Sequence, residues 1–126
     1  MSALSASSIV AFVGISDRVR ARSFYADTLG LTLVSEDDFA LVFDANGTML
    51  RVTPVGKKMV PAGYTVLGWA VSDIEAAVAE LRASGVVFER FPGLPQDDNG
   101  IWNAPGGTKV AWFKDPDGNI LSVSRH

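Results

Sequence analysis

One pattern occurs twice in this chain. It first reads Ile9-Val10-Ala11-Phe12-Val13-Gly14-Ile15-Ser16-Asp17 and runs into an amphipathic stretch closed by Gly30. It returns as Thr65-Val66-Leu67-Gly68-Trp69-Ala70-Val71-Ser72-Asp73, followed by a second amphipathic stretch closed by Gly85. Ile-Ser-Asp and Val-Ser-Asp lie 56 residues apart in a chain of 126. A chain of this length that repeats itself once reads as two copies of one supersecondary unit. The copies define equivalent points, and those points are where functional side chains are to be sought.

Each copy reads as βαβββ. Residues 9–15 are apolar and β-branched, as in a buried strand. Ser16 or Asp17 is expected to cap a helix carrying Val19, Phe24, Tyr25 and Leu29 on one face, and Gly30 to end it. Three short strands follow at 31–35, 40–44 and 49–53, with Asn46-Gly47 as the hairpin turn between the last two. Module one is thus 9–53, the linker 54–63 and module two 64–126. In module two, Ser72 and Glu75 have capping-box spacing, and Ile74, Ala77, Val78 and Leu81 form the buried stripe of the helix. Matching strands are expected at 86–90, 110–113 and 120–124, with Asp117-Gly118 as the second hairpin turn. Gly118 follows Gly47 by 71 residues rather than 56, so module two carries about fifteen extra residues. They fall mostly in 91–108, a stretch rich in Pro, Gly, Asp and Asn that reads as a long loop, functional or a packed lid.

Composition narrows the function. Hydrophobic content of 48% and charged content of 20% suit one soluble domain spanning 1–126. A net charge of −3 with scattered basic residues argues against a nucleic-acid partner. The chain has no cysteine, which excludes a disulfide, a thiolate metal site and a cysteine nucleophile and fits a cytoplasmic protein. No apolar run reaches membrane-spanning length, so no membrane partner is expected. Residues 1–8 lack the charged and apolar regions of a signal peptide and are expected to fray. The only histidine is His126, so no Ser-His-Asp set can form. No glycine-rich phosphate cradle is present either.

Two βαβββ units with Asp115-Pro116-Asp117-Gly118-Asn119 before the last strand resemble the glyoxalase/bleomycin resistance/extradiol dioxygenase superfamily, the vicinal oxygen chelate fold. The resembling residues are Ile15-Ser16-Asp17, Ser23-Phe24-Tyr25, Leu29-Gly30-Leu31, Val71-Ser72-Asp73, Leu81, Gly85-Val86 and 113–119. The resemblance implies an α+β fold whose two modules form a cup-shaped half-barrel sheet with helices on the outer face. It also implies a homodimer. In the family's metal enzymes, His, Glu or Gln from equivalent strands hold the ion in the cup. The matching positions here are Val10, Arg51, Val66 and Ser122, a set with no such ligand. The chain is therefore identified as a member without the metal site, and no cofactor is expected. The same resemblance leaves function open, because this fold hosts unrelated chemistries.

Alternation along the strands then says what should line the cup. From module one come Val10, Phe12, Met49, Arg51 and Thr53; from module two, Val66, Gly68, Ser122 and Ser124, with Ile120 beside them. Small residues at the floor are expected to leave volume. Arg51 would meet a ligand carboxylate, phosphate or enolate, or else pair with Glu36, Asp38, Asp97 or Asp98. Trp102, placed in the long loop, would stack on a planar ligand or anchor the loop on the sheet. Trp69 is expected in the core. Asp115–Asn119 is read as a tight turn rather than a calcium loop. Residues 96–100 are read as a solvated turn that could instead supply an acid or base, and Arg18, Arg20 and Arg22 as a solvated helix face. Three functions remain open: metal-free sequestration of an aromatic or anionic small molecule; a metal-independent lyase or isomerase with Arg51 stabilising an oxyanion; and a regulatory domain whose pocket is vestigial, plugged by Trp102 or Phe91.

Overall fold

A computed structural model describes residues 3–126, which divide into two compact units between Met59 and Val60. Met1 and Ser2, part of the stretch expected to fray, lie outside the described residues. The rest of that stretch closes a turn: Ser7 N–H donates to Leu4 O at 3.1 Å and Ser7 Oγ to Ala3 O at 2.6 Å.

The first unit runs β1 (Val10–Ile15), α1 (Arg18–Arg22), a π-helical turn (Ser23–Thr28), β2 (Thr32–Glu36), β3 (Leu41–Ala45) and β4 (Thr48–Pro54), then a 3-10 turn (Gly56–Lys58). Its sheet has the order β1-β4-β3-β2, with β1 parallel to β4 and the other pairs antiparallel. β1 and β2 are therefore opposite edges, and the helical segment carries the chain from one to the other. One sheet face is closed: Val13, Ile15, Leu41, Phe43, Leu50 and Val52 are buried, as are Ala21 and Tyr25 of the helical segment.

Asp17, not Ser16, caps α1, accepting the N–H of Val19 and Arg20 on its carboxylate. The helix then widens. Leu29 N–H donates to Phe24 O and Leu31 N–H to Tyr25 O, longer spans than an α-helix makes. The buried stripe starts at Ala21, one α-helical turn before Tyr25, rather than at the expected Val19. Val19 is 67% exposed and Ala21 is buried instead. Asn46 (φ 51) and Gly47 (φ 91) both take the left-handed backbone that a two-residue hairpin turn requires.

The second unit repeats the plan: β5 (Thr65–Ala70), α2 (Ile74–Ala83), β6 (Trp102–Asn103), β7 (Lys109–Lys114) and β8 (Ile120–Arg125), in the order β5-β8-β7-β6 with β5 parallel to β8. Both units are thus βαβββ, and the chain is α+β. Two expectations need correction here. Asp73, not Ser72, caps α2, accepting Ala76 N–H at 3.0 Å. A carboxylate at the last position before the helix outcompetes the hydroxyl beside it. Residues 86–90 also form no strand. They touch β7 through one bridge, Phe88 to Phe113, and the Glu89 N–H bond to Trp112 O, while the sheet edge is taken by β6 from the long loop.

The core of this unit lies between α2 and the sheet. Ile74, Val78, Val86, Ile101, Ala111, Phe113, Leu121 and Val123 are buried. Trp69 stacks on Phe113 (centroids 6.4 Å, 19°), on the core side as expected.

Candidate functional site

In the first unit the expected lining residues meet on the open face of the sheet. Strand register sets Val10 beside Met49, Phe12 beside Arg51 and Gly14 beside Thr53. Val10, Phe12 and Met49 are 41%, 64% and 44% exposed, so a half-buried cation sits in an open apolar surface. The acid that feels the Arg51 charge is none of those named above. Glu36 is held by Arg18 and Arg22, an ion pair that also replaces the fully solvated arginine face expected there. Arg51 instead acts on Asp37, whose carboxyl lies below its usual range. The Phe39 and Ala40 N–H bonds do most of this, and the Arg51 and Arg18 charges add to it.

In the second unit, Gly68, Ser122 and Trp112 form one cross-strand row, and Ala70, Ser124, Val110 and Trp102 the next. The expectation that Gly68 leaves empty volume fails. A Cβ there would lie 2.6 Å from Ser122 Oγ, so the hydroxyl already occupies that space. Gly68→Ala is expected to cost about 1 kcal/mol in the native chain and to become harmless in a Ser122→Ala background, a coupling readable by urea denaturation of the four variants. Ser124 Oγ is engaged by His126 Nε2 at 2.9 Å.

The register shifts between Thr65 and Leu67, so Val66 sits at a bulge. Thr65, paired with Ile120, thereby joins the open face, where its Oγ1 accepts Trp112 Nε1–H at 3.1 Å. Trp102 belongs to β6 rather than to a loop, and its ring stacks on Trp112 (6.0 Å, 28°). Phe91 meets Trp112 edge-on (5.3 Å, 90°). Together with Gly63, Tyr64, Thr65, Leu94 and Ile120 these rings line a recess of about 370 Å³.

Of the expected lining residues, only Trp102 and Ile120 line this recess. Tyr64, Thr65, Phe91, Leu94 and Trp112 were not among them. The aromatic density of 88–113 was the visible signal, and the bulge and β6 were not visible. The chain reaches this arrangement because the long loop is stapled. The Gln96 side chain accepts Phe91 N–H and donates to Glu89 O and Gly100 O, while Asp97 Oδ1 takes the N–H of Asn99 and Ile101. Residues 96–100 are thus a structural turn, as expected.

The residues present do not fit the metal of the fold's metal enzymes. Val10 and Val66 carry no donor atom, the Arg51 guanidinium repels a cation, and Ser122 offers one hydroxyl. Among the described residues no three His, Cys, Asp or Glu converge.

A family model described as Glyoxalase/Bleomycin resistance protein/Dioxygenase superfamily matches residues 9–123. No curated protein matches the sequence. Among solved structures, the chain is similar to lactoylglutathione lyase from Agrobacterium tumefaciens (TM-score 0.71, 17% identity, covering 95% of this chain and 93% of that one). It is also similar to TnmS3, an antibiotic binding protein from Streptomyces sp. CB03234 (0.66, 24%, 95% and 97%). A third is a glyoxalase/bleomycin resistance protein from the same source (0.65, 25%, 93% and 98%).

Proposed function

Because the chain belongs to the glyoxalase/bleomycin resistance protein/dioxygenase superfamily, we propose that it is a small-molecule-binding protein, holding a planar aromatic compound without a metal ion and without turning it over. The observation that carries this reading is the aromatic recess of the second unit. Stacked indoles, an edge-on phenyl ring and a 72% exposed Tyr64 offer several ring faces to one ligand. Few polar groups lie among them, so the recess favours flat apolar surface over a charged group. Use of the same fold by an antibiotic binding protein supports a sequestering role. Trp102 and Phe91 line the recess rather than fill it, which speaks against a vestigial pocket.

The lyase or isomerase reading needs a base poised near Arg51. The carboxyls that shift, Glu36, Asp37 and Glu75, all move down, which makes them weaker bases. Asp97 is committed to backbone N–H groups. The proposed working form is a cytoplasmic homodimer, consistent with a chain lacking cysteine. No helix among the described residues is long and apolar enough to cross a membrane.

The test is a titration of EDTA-dialysed protein with bleomycin, 1-anilinonaphthalene-8-sulfonate and other planar aromatics, followed by tryptophan fluorescence. Saturable quenching by at least one compound is expected. Trp102→Ala should weaken it about tenfold or more, in line with the loss of a central aromatic contact. Binding that appears only on adding a divalent metal, or an affinity unchanged in a folded Trp102→Ala variant, overturns the reading.

A further inference from the structure

A second cavity, of about 450 Å³, lies on the second unit and shares no residue with the aromatic recess. It opens where α2 ends and the stapled loop passes it. Val86 and Phe88 supply apolar wall, Gly100 supplies backbone, and Arg82, Arg90 and Asp98 carry the charge. Two cations thus face one carboxylate.

Arg18 and Arg22 share Glu36, Lys109 pairs with Glu75, and Lys114 with Glu89. Among the described residues neither Arg82 nor Arg90 forms an ion pair. Arg82 Nη1 donates instead to Asn99 Oδ1 at 3.0 Å, and Arg90 Nη1 lies 3.5 Å from Gln96 O. Both partners are neutral and Asp98 is the single carboxylate in the lining, so the pair keeps a net positive charge while one guanidinium is already oriented. The loop that orients it is the one fixed by Gln96 and Asp97, so little ordering remains for a ligand to impose. The C-terminal dipole of α2 opposes an anion here. Its last carbonyls, however, are taken by the N–H groups of Ser84, Gly85 and Val86, and two full charges outweigh a partial one.

We propose that this cavity is a binding site for an organic anion, a carboxylate or phosphate monoester with an apolar body. The headgroup bridges Arg82 and Arg90, for which guanidinium forks are suited, and the body lies against Val86 and Phe88. Asp98 limits affinity by like-charge repulsion.

The test uses the full chain in solution, with phenyl phosphate and benzoate as probes and phenol as the uncharged control, followed by amide NMR shifts. Either anion should shift Gly85, Val87, Asn99 and Gly100 saturably, and the tighter of the two identifies the headgroup. Phenol should bind at least tenfold more weakly. Arg82→Ala and Arg90→Ala should each weaken the anion about tenfold, added salt should weaken it further, and Asp98→Asn should tighten it. All three positions are exposed, so these variants should keep the native spectrum. Trp102→Ala should leave this binding unchanged, which separates its failure from failure of the aromatic site. The proposal is overturned by no saturable shift with either anion, by equal binding of phenol, by an unchanged affinity in the folded arginine variants, or by shifts confined to Tyr64, Trp102 and Trp112.

Discussion

Phe113→Ala is expected to remove about 4 kcal/mol of stability, the largest single-residue loss in the second unit. Phe113 is 1% exposed. Its ring stacks on Trp69 and meets Phe88 edge-on at 5.6 Å, and its backbone pairs with Leu121 of β8. Truncation removes the ring by which β7 packs on Trp69 of the edge strand β5 and on Phe88 of the 86–90 segment, and leaves a cavity the stiff neighbours cannot close. A loss of this size is a large part of the 5–15 kcal/mol typical of a whole domain. Thermal unfolding should fall by roughly 10–20 °C. Phe113→Leu, which keeps most of the volume, should lose only about 1 kcal/mol. Equal losses for the two variants would show that the aromatic contacts, rather than the filled volume, dominate. A loss below about 1 kcal/mol for alanine would show that the Trp69–Phe113–Phe88 cluster is not a packed core.

Asp115→Ala is expected to cost about 3 kcal/mol. Asp115 is 5% exposed and Asn119 4%. One carboxylate oxygen accepts the N–H groups of Asp117 and Asn119, both at 2.9 Å, and the other accepts Asn119 Nδ2 at 2.8 Å. Alanine removes the carboxylate that accepts two backbone N–H groups and a buried amide at the turn between β7 and β8. Asp115→Asn keeps an acceptor for the backbone but turns an amide N–H₂ toward that of Asn119, so it should cost an intermediate amount. Because β7 carries Trp112, a misregistered turn should also weaken aromatic-ligand binding. Chemical denaturation and the fluorescence titration measure the two effects separately. Full binding in a strongly destabilised alanine variant would show that the turn supports stability alone.

How much of this was legible in the sequence depends on the range of the forces involved. The helix starts were legible to within one residue because capping is local: a short polar side chain must precede the first turn. The choice between Ser16 and Asp17 stayed open for α1, and at α2 the Ser72 capping-box reading gives way to Asp73. The Asn46-Gly47 turn was legible because few residues tolerate its backbone. Alternation along β1 and β4 was legible because one sheet face is buried, whereas in β8 Ser122 is buried along with Leu121 and Val123. Val13, Ile15, Leu50 and Val52 go inside, and Phe12 and Arg51 do not. The stretch 86–108 was not legible in the same way. Its apolar run at 86–90 looks like a strand, yet Trp102–Asn103 wins the place beside β7. That competition is settled by the Gln96 and Asp97 bonds, which join groups several residues apart.

The recess follows the same division. Sequence alone determined the two-module α+β plan and the absence of metal-binding side chains at Val10, Arg51, Val66 and Ser122, because pattern and residue chemistry suffice for both. Only the tertiary structure decided that Trp102 stacks on Trp112, that a bulge at Val66 turns Thr65 toward that pair, and that Arg82 and Arg90 share a cavity. Each depends on strand register and loop path, which shift a side chain to another face or another neighbour without changing a residue.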